Sequence, residues 1–524
     1  MWSEHNTHHK ALPGCVTGAS NRTLDRLKPC FILFACWLAL FTAGCGTVKP
    51  ERDYRNAADL VSKHTGVADV YDPTVDPLVE QKVQTLLTED LHLDQAVHIA
   101  LLNNRGFQSL FLEIGVSRTD VVQSGMLANP VVSLLPRIPD IGGRINLTTG
   151  FAQELADLWQ MPIAKKTARL ALENTVLKVA DAAITLAAQV KTQYFQLVTL
   201  KESERIEREN AALLDQSMVL AQHRFDAAET SLLDVNLVKS DVVAAQMRLS
   251  KIQGDIAQTR ASFAKLLGID KSKTAWEPVD PLDEPDGELA DTAALVELAL
   301  SQRLDAQMAA MDCRLAENEL AKQGRSVISH LSLGMESERT ENNAGPSRFQ
   351  RGIAAWNPLT DAQPAFPTVN EDKLAAKYTV NRLTGPSLEM DAPVFDQNRA
   401  HIAKARIQLQ QKRKNFEEME ESIREDVEKA ATGVTTAAEQ LRVSKEEALP
   451  LAERNYETAQ RVYQAGEDSI LVVIEAHKTL IGARNDRTRA LGDYAVALAE
   501  LERAVGGRLD GTVTGPPPAT EGKP

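Results

Sequence analysis

The sequence predicts a mainly α-helical protein built from a duplicated unit, with a few strands that belong to a membrane β-barrel. Three observations predict it. Residues 460–506 repeat an earlier stretch: Phe225 falls on Tyr463, an offset of 238 residues, Ser231 falls on Ser469, and Leu267-Gly268 on Val505-Gly506. Residues 163–253 contain neither glycine nor proline, a run far longer than one globular core needs. Short β-branched or apolar stretches stand at equivalent places in both halves.

Composition narrows the class. The 524 residues are 25% charged but only 5% aromatic, a balance of long helices rather than of a sandwich or a doubly wound sheet. A net charge of −14, with no basic stripe, argues against nucleic acid, whose phosphates need a basic surface. Cys15, Cys30, Cys36 and Cys45 precede the body, which keeps only Cys313, so no disulfide framework is expected. His5, His8 and His9 cluster ahead of the body, and the other histidines lack metal-ligand spacing. No GxSxG, Walker-type loop, HExxH or paired-cysteine metal motif occurs, so neither an enzyme, a cofactor nor a metal site is expected.

The N-terminus reads as an address. Arg22, Arg26 and Lys28 precede the apolar run 31–44, about fourteen residues against the roughly 20 a spanning helix needs. A basic flank, a short apolar core and small residues before a break describe an export signal over 1–44. Thr42-Ala43-Gly44-Cys45 resembles a bacterial lipobox, with Thr42 where leucine is usual, and makes Cys45 the candidate lipidation site. Gly46 follows, not the aspartate that retains lipoproteins at the inner membrane, which implies the outer membrane.

Residues 45–91 are polar and proline-bearing, and are expected to run extended over the rest. The first repeat spans 92–270. Leu93, Val97 and Leu101 open a helix at four-residue steps, which Asn129-Pro130 stops. Strands are expected over about 131–135 and 144–151, and a helical hairpin over about 161–268, reversing near residues 228–230. In it, Val176, Ala180, Ala183, Ala187, Val190, Tyr194 and Leu197 form a coiled-coil seam. A linker, 271–291, leads to the second repeat, 292–508. Its strands are expected over about 327–333 and 385–391, around a loop insertion over about 336–381. Its hairpin is expected over about 398–506, reversing near residues 466–468. Val427, Ala430, Val434, Ala437, Leu441, Ser444, Ala448 and Leu451 keep a heptad there, and Pro450 is expected to kink the helix. The tail, 509–524, is expected to be disordered.

Four strands per chain have to be closed. Lipid tolerates no open sheet edge, and bacterial membrane barrels start at eight strands. Three chains supply twelve strands and a twelve-helix tube continuing from them. A soluble four-stranded sheet under helices is the competing arrangement.

At this point residues 92–506 resemble the TolC family of outer-membrane efflux channels. The specific part is the reversal and return helix, present twice: Ser231-Leu232-Leu233-Asp234-Val235, and Gly466 with Ser469-Ile470-Leu471. The resemblance implies a homotrimer, a twelve-stranded barrel in outer-membrane lipid and a periplasmic twelve-helix tunnel. It also implies docking on a periplasmic adaptor (membrane-fusion protein) and an inner-membrane transporter, of the resistance-nodulation-division type for lipidated members. Such a channel is the passive exit duct of a tripartite pump for drugs, metal ions or other small molecules. In that family the reversals close the periplasmic entrance. The resemblance therefore points to Tyr463, Asp468, Glu475, Asp234 and Glu467 as gate residues, and to Ser231, Leu232, Gly466, Ser469 and Ile470 as adaptor contacts. Asp468 stands where the best-known pattern has a gating arginine, and Val472 where it has an aspartate. The carboxylates could instead form a threefold acidic ring favouring cations. Arg224, Arg454 and Arg461 near the reversals read either as adaptor contacts or, more simply, as an exposed face. Two rival readings are a lipid-anchored periplasmic adaptor, which needs only one hairpin, and a structural coiled-coil envelope protein, which does not need the strand pairs.

Overall fold

A computed structural model describes residues 47–87, 90–138, 145–270, 276–282, 291–328, 330–343, 378–465 and 467–509. Side chains of 341–343 and 378–381 are outside the description. So are the export signal, Cys45, Gly466, most of the expected insertion and the tail beyond residue 509.

The segment expected to be extended is instead helical. Helix α1 covers Glu51–Thr65 and α2 covers Asp76–Leu86, with a single 3-10 turn, Pro73–Val75, between them. A narrow stripe, Tyr54, Ala57, Val61 and His64, explains the difference: four residues on one face suffice to bury α1 in an otherwise polar stretch. Acidic Glu51 and Asp53 meet the positive end of the helix, and Gly66 ends it at φ 76. Tyr54 stacks on Phe111 at 5.7 Å, so this segment belongs to the main core.

Strand β1 (Asp90–Leu91) precedes α3 (Leu93–Asn103) and α4 (Arg105–Gln123). One helix is expected here; Asn104 breaks it by turning extended (ψ 116) and capping α4 through Phe107 N–H. Strands β2 (Val131–Arg137) and β3 (Asn146–Glu154) follow, then α5 (Asp157–Asp226) and the return helix α6 (Leu232–Leu267). At 70 residues α5 runs roughly 105 Å. Its predicted seam is buried from Ala180 to Leu197. Gly268 closes α6 at φ +67, where an added Cβ would lie 2.3 Å from the Asn103 carbonyl oxygen. The Asn103 amide donates to the Leu267 and Gly268 carbonyls, which fixes the end of the hairpin to the α3–α4 joint.

Within the linker, β4 (Glu277–Pro278) pairs parallel with β1. Asp280 accepts from the buried Tyr194 hydroxyl (2.8 Å) and from Leu93 N–H (2.6 Å). The second repeat then runs α7 (Thr292–Gln302), α8 (Leu304–Arg325), β5 (Leu331–Asn343) and β6 (Tyr378–Met390). Helix α9 (Arg399–Val443), a π segment (Ser444–Ala448) and α10 (Leu449–Gln464) form its long arm, and α11 (Ile470–Val505) returns. Strands β5 and β6 reach well into the expected 336–381 insertion, and β5 starts later than the expected 327, so only 344–377 separate the two. Cross-strand pairing with β6, from Leu331↔Met390 to Asn343↔Tyr378, sets that length.

The four longer strands form one antiparallel sheet, β2-β3-β5-β6, in which β3 of the first repeat pairs with β5 of the second. Facing residues share a side of the sheet. Val132, Phe151 and Met335 align on one side, with Leu134, Leu333 and Leu388; Ser133, Gly150 and Glu336 align on the other, with Thr148 and Glu338. One side is thus mostly apolar and the other mostly polar.

Pro450 does interrupt its helix, as a π segment just before it. The extra residue rotates everything beyond by about 100° (3.6 residues per turn). The predicted seam therefore fails there: Leu451 is 52% exposed, and Ala452 takes the buried place.

Candidate functional site

The two reversals stand side by side at one end of the helices. In the first, α5 ends at Asp226, Ala228 turns left-handed (φ 61), and Ser231 begins α6. Ser231 Oγ accepts from Asp234 N–H at 3.2 Å, while Asp234 accepts from Ser231 N–H (3.1 Å), Ser231 Oγ (2.8 Å) and Thr230 Oγ1 (2.8 Å). These donors hold the Asp234 carboxyl below its ordinary value, those of Thr230 and Ser231 first. Asp234, expected in a gate, is therefore occupied as the acid of a capping box.

In the second reversal Ser469 caps through Leu471 N–H (3.1 Å), and Asp468 accepts from Ser469 N–H at 2.7 Å. Glu475 pairs with Lys478 (3.2 Å), which also reaches Asp241 on α6 at 3.4 Å. Glu467 is exposed, Leu232 is 57% exposed, and Ile470 is half-buried against the small apolar cluster of Leu214, Val235 and Val238. An open cleft between the reversals is lined by Arg224, Glu229, Thr230, Asp234, Asp468 and Ser469.

Tyr463 makes one of the contacts between the two hairpins. Arg224, on the last turn of α5, donates to its hydroxyl at 2.5 Å and lies 5.6 Å from the ring centroid, while pairing with Glu229 at 3.4 Å. Sequence reasoning placed Arg224 on an exposed face and left Tyr463 without a partner. The signal was present in the repeat: Arg224 is next to Phe225, the counterpart of Tyr463, so the two stand at one height on neighbouring hairpins. The carboxylates, by contrast, are not gathered into one cluster within the chain.

Among the described residues no helix is long and apolar enough to cross a membrane, and no group of three or more acidic, histidine or cysteine side chains is arranged to hold a metal ion. Two paired helical hairpins and a four-stranded antiparallel sheet with one mostly apolar side are the parts of the fold. Residues 295–507 match the family of outer membrane efflux proteins. The chain is 23% identical over 367 residues to the pyoverdine export outer membrane protein OpmQ of Pseudomonas putida, covering 67% of this chain and 68% of that one. It is 21% identical over 424 residues to the cobalt-zinc-cadmium resistance protein CzcC of Cupriavidus metallidurans, covering 79% and 90%. Among solved structures it superposes on the Campylobacter jejuni CmeC outer membrane channel with a TM-score of 0.61 at 14% identity, over 79% of this chain and 85% of that one. The chain is thus similar to outer-membrane efflux proteins, by its family match over residues 295–507 and by a shared fold over most of its length.

Proposed function

We propose that three copies of the chain form the exit duct of a tripartite pump. The observation that carries this is the sheet: it joins strands of both repeats, leaves β2 and β6 as its outer members, and has one largely apolar side. Lipid requires those edges to be paired. Pairing β6 of one copy with β2 of the next gives twelve strands, and the polar side then faces water. The α5–α6 and α9–α11 hairpins of three copies continue below as a twelve-helix periplasmic tunnel. Cys45 carries the lipid, which supplements the barrel as an anchor. The reversals, with Ser231, Leu232, Gly466, Ser469 and Ile470, meet the adaptor, and the transporter is of the resistance-nodulation-division type. The names of the matched relatives point to an exported compound like pyoverdine or to cobalt, zinc or cadmium ions. The chain acts as a conduit and not as an enzyme.

In this reading the Arg224–Tyr463 bond helps keep the entrance closed. Purified mature protein in detergent is expected to have the mass of a trimer and to conduct in planar lipid bilayers. Tyr463→Ala should raise single-channel conductance; an unchanged value removes Tyr463 from the gate, and a monomeric protein without conductance overturns the duct. Cys45→Ser should lower the mature mass by that of the lipid, and an unchanged mass rules out the anchor.

A further inference from the structure

Well above the reversals, the contact between the hairpins changes character. Glu207 on α5 is 4% exposed. It accepts from Arg248 Nε on α6 (3.3 Å to both oxygens), from Asn210 on its own helix (3.0 Å), and from Asn485 on α11 (3.2 Å). The last of these bonds crosses from one hairpin to the other. Asn210 is 1% exposed and Asn485 9%, yet the amide oxygen of each has no hydrogen-bond partner. A buried layer of this kind is only half satisfied.

Its position matters as much as its chemistry. Glu207 lies about 20 residues before the first reversal and Arg248 about 17 after it; Asn485 lies about 16 after the second. Each is thus roughly 25–30 Å along its helix from the reversal, at about 1.5 Å per residue. The π segment Ser444–Ala448, on the fourth helix, falls at the same level. There Ser444 is buried, and its hydroxyl is unpartnered too. Apolar clusters lie on either side, Leu214, Val238, Ala245 and Ile474 toward the reversals and Leu441, Ala490 and Leu491 away from them, with buried His477 and Thr488 bordering the layer on α11.

Interdigitated apolar blocks move as units, because sliding one across another opens voids. A polar layer can exchange one partner for another or for water at much smaller cost. A π turn beside a proline is where a helix bends. We propose that this layer is the pivot on which the lower part of the second hairpin swings away from the first. Glu207 is the positioning residue that holds the closed arrangement, acting through Asn485. The inference rests on the duct reading and adds to it where motion occurs: the gate contacts at Tyr463 part because the hairpins turn about a plane far from them.

The test uses the full-length mature trimer in planar bilayers, together with its thermal unfolding. Asn485→Ala removes the cross-hairpin bond and should raise the open-to-closed ratio on the order of tenfold, the worth of one hydrogen bond to a charged group. Glu207→Ala should do the same, and the double variant should add little to either single change. Glu207→Gln keeps an acceptor for Asn485 and should restore most of the closed population. If Glu207 merely packs, the variants lower the melting temperature, leave the ratio unchanged, and overturn the pivot. Should Glu207→Ala fail to assemble, Asn485→Ala alone decides between these outcomes. Wild-type protein that conducts upholds the duct whatever the variants do, and wild-type protein that does not conduct sinks the duct itself.

Discussion

Helices α6 and α11 are the same helix written twice, and they live in different surroundings. Both have 36 residues, begin at a serine cap and end at a left-handed glycine. Helix α11 buries residues along its whole length, including Asn485, Thr488, Leu491 and Tyr494. Helix α6 buries nothing between Ala245 and Phe263. The cause is position: α11 lies between its own long arm and α5 of the first repeat, while α6 packs on α5 and leaves its other face free. A sequence under one periodic pattern therefore supports two levels of burial, and the free face of α6 is where the duct reading seats the next copy.

The sharpest way to break that comparison uses a glycine present in both. Gly492 on α11 and Gly254 on α6 are counterparts at the 238-residue offset. A Cβ on Gly492 would meet Thr199 Oγ1 at 2.1 Å and its Cβ and Cγ2 at 3.0 Å. A Cβ on Gly254 would meet nothing within 4 Å. Gly492→Ala should therefore cost about 2 kcal/mol, since the threonine can turn its hydroxyl away but not its β-carbon. Gly254→Ala should gain about 0.5–1 kcal/mol from helix propensity in an isolated protomer. Thermal unfolding of both variants measures this. A loss of trimer on Gly254→Ala would mean that α6 approaches a neighbouring copy as closely as α11 approaches α5. Equal effects at both positions would end the comparison.

The reversals offer a smaller contrast of the same kind. Asp234 completes the capping box of α6, and its counterpart in α11 is Val472, which cannot. Asp234→Val should cost about 1 kcal/mol of local stability and Val472→Asp should gain a similar amount. Amide exchange in the first turns of α6 and α11 reads both directly. If Val472→Asp leaves the first turn of α11 exchanging as before, the acid at this position does not set the stability of that turn.

Much of this was legible from residues alone, for a physical reason. The offset of 238 exposed the two hairpins, and β-branched stretches bounded by proline and glycine exposed the strands. Both signals are local in the chain. What escaped depended on partners distant in sequence. Strands β5 and β6 reach their length by pairing with each other across 344–377, which no local alternation records. The stripe of α1 is too narrow to stand out, and it counts because Phe111 and the end of α11 receive it: His64 bonds the Gly506 carbonyl at 2.7 Å. The heptad of the long arm lost its phase at one π turn, and a one-residue slip in a helix cannot be seen from spacing. At the reversals the residue types were legible but their bonds were not. Asp234 turned inward to its own helix, and Arg224 reached across to Tyr463.

The least of the expected effects concerns His477 and its counterpart Lys239, an exposed residue on α6. His477 is 8% exposed, its ring 5.3 Å from that of Tyr456 on α10. Burial pushes its pKa below the ordinary value, and Arg484 on the same helix pushes the same way; Glu207 on α5 opposes them. The folded protein therefore holds this imidazole neutral, while the unfolded chain takes up a proton near pH 6.5. As pH falls below about 6.5 the unfolded state binds more protons, so stability drops until the lower folded pKa is passed. His477→Phe keeps a ring against Tyr456 and removes the proton. It should flatten the pH dependence of the melting temperature below about pH 6.5, whereas Lys239→Met, at the exposed counterpart, should leave that slope as it was. A slope unchanged in His477→Phe would show that the histidine is solvated in both states, and that α11 is less enclosed than its buried residues indicate.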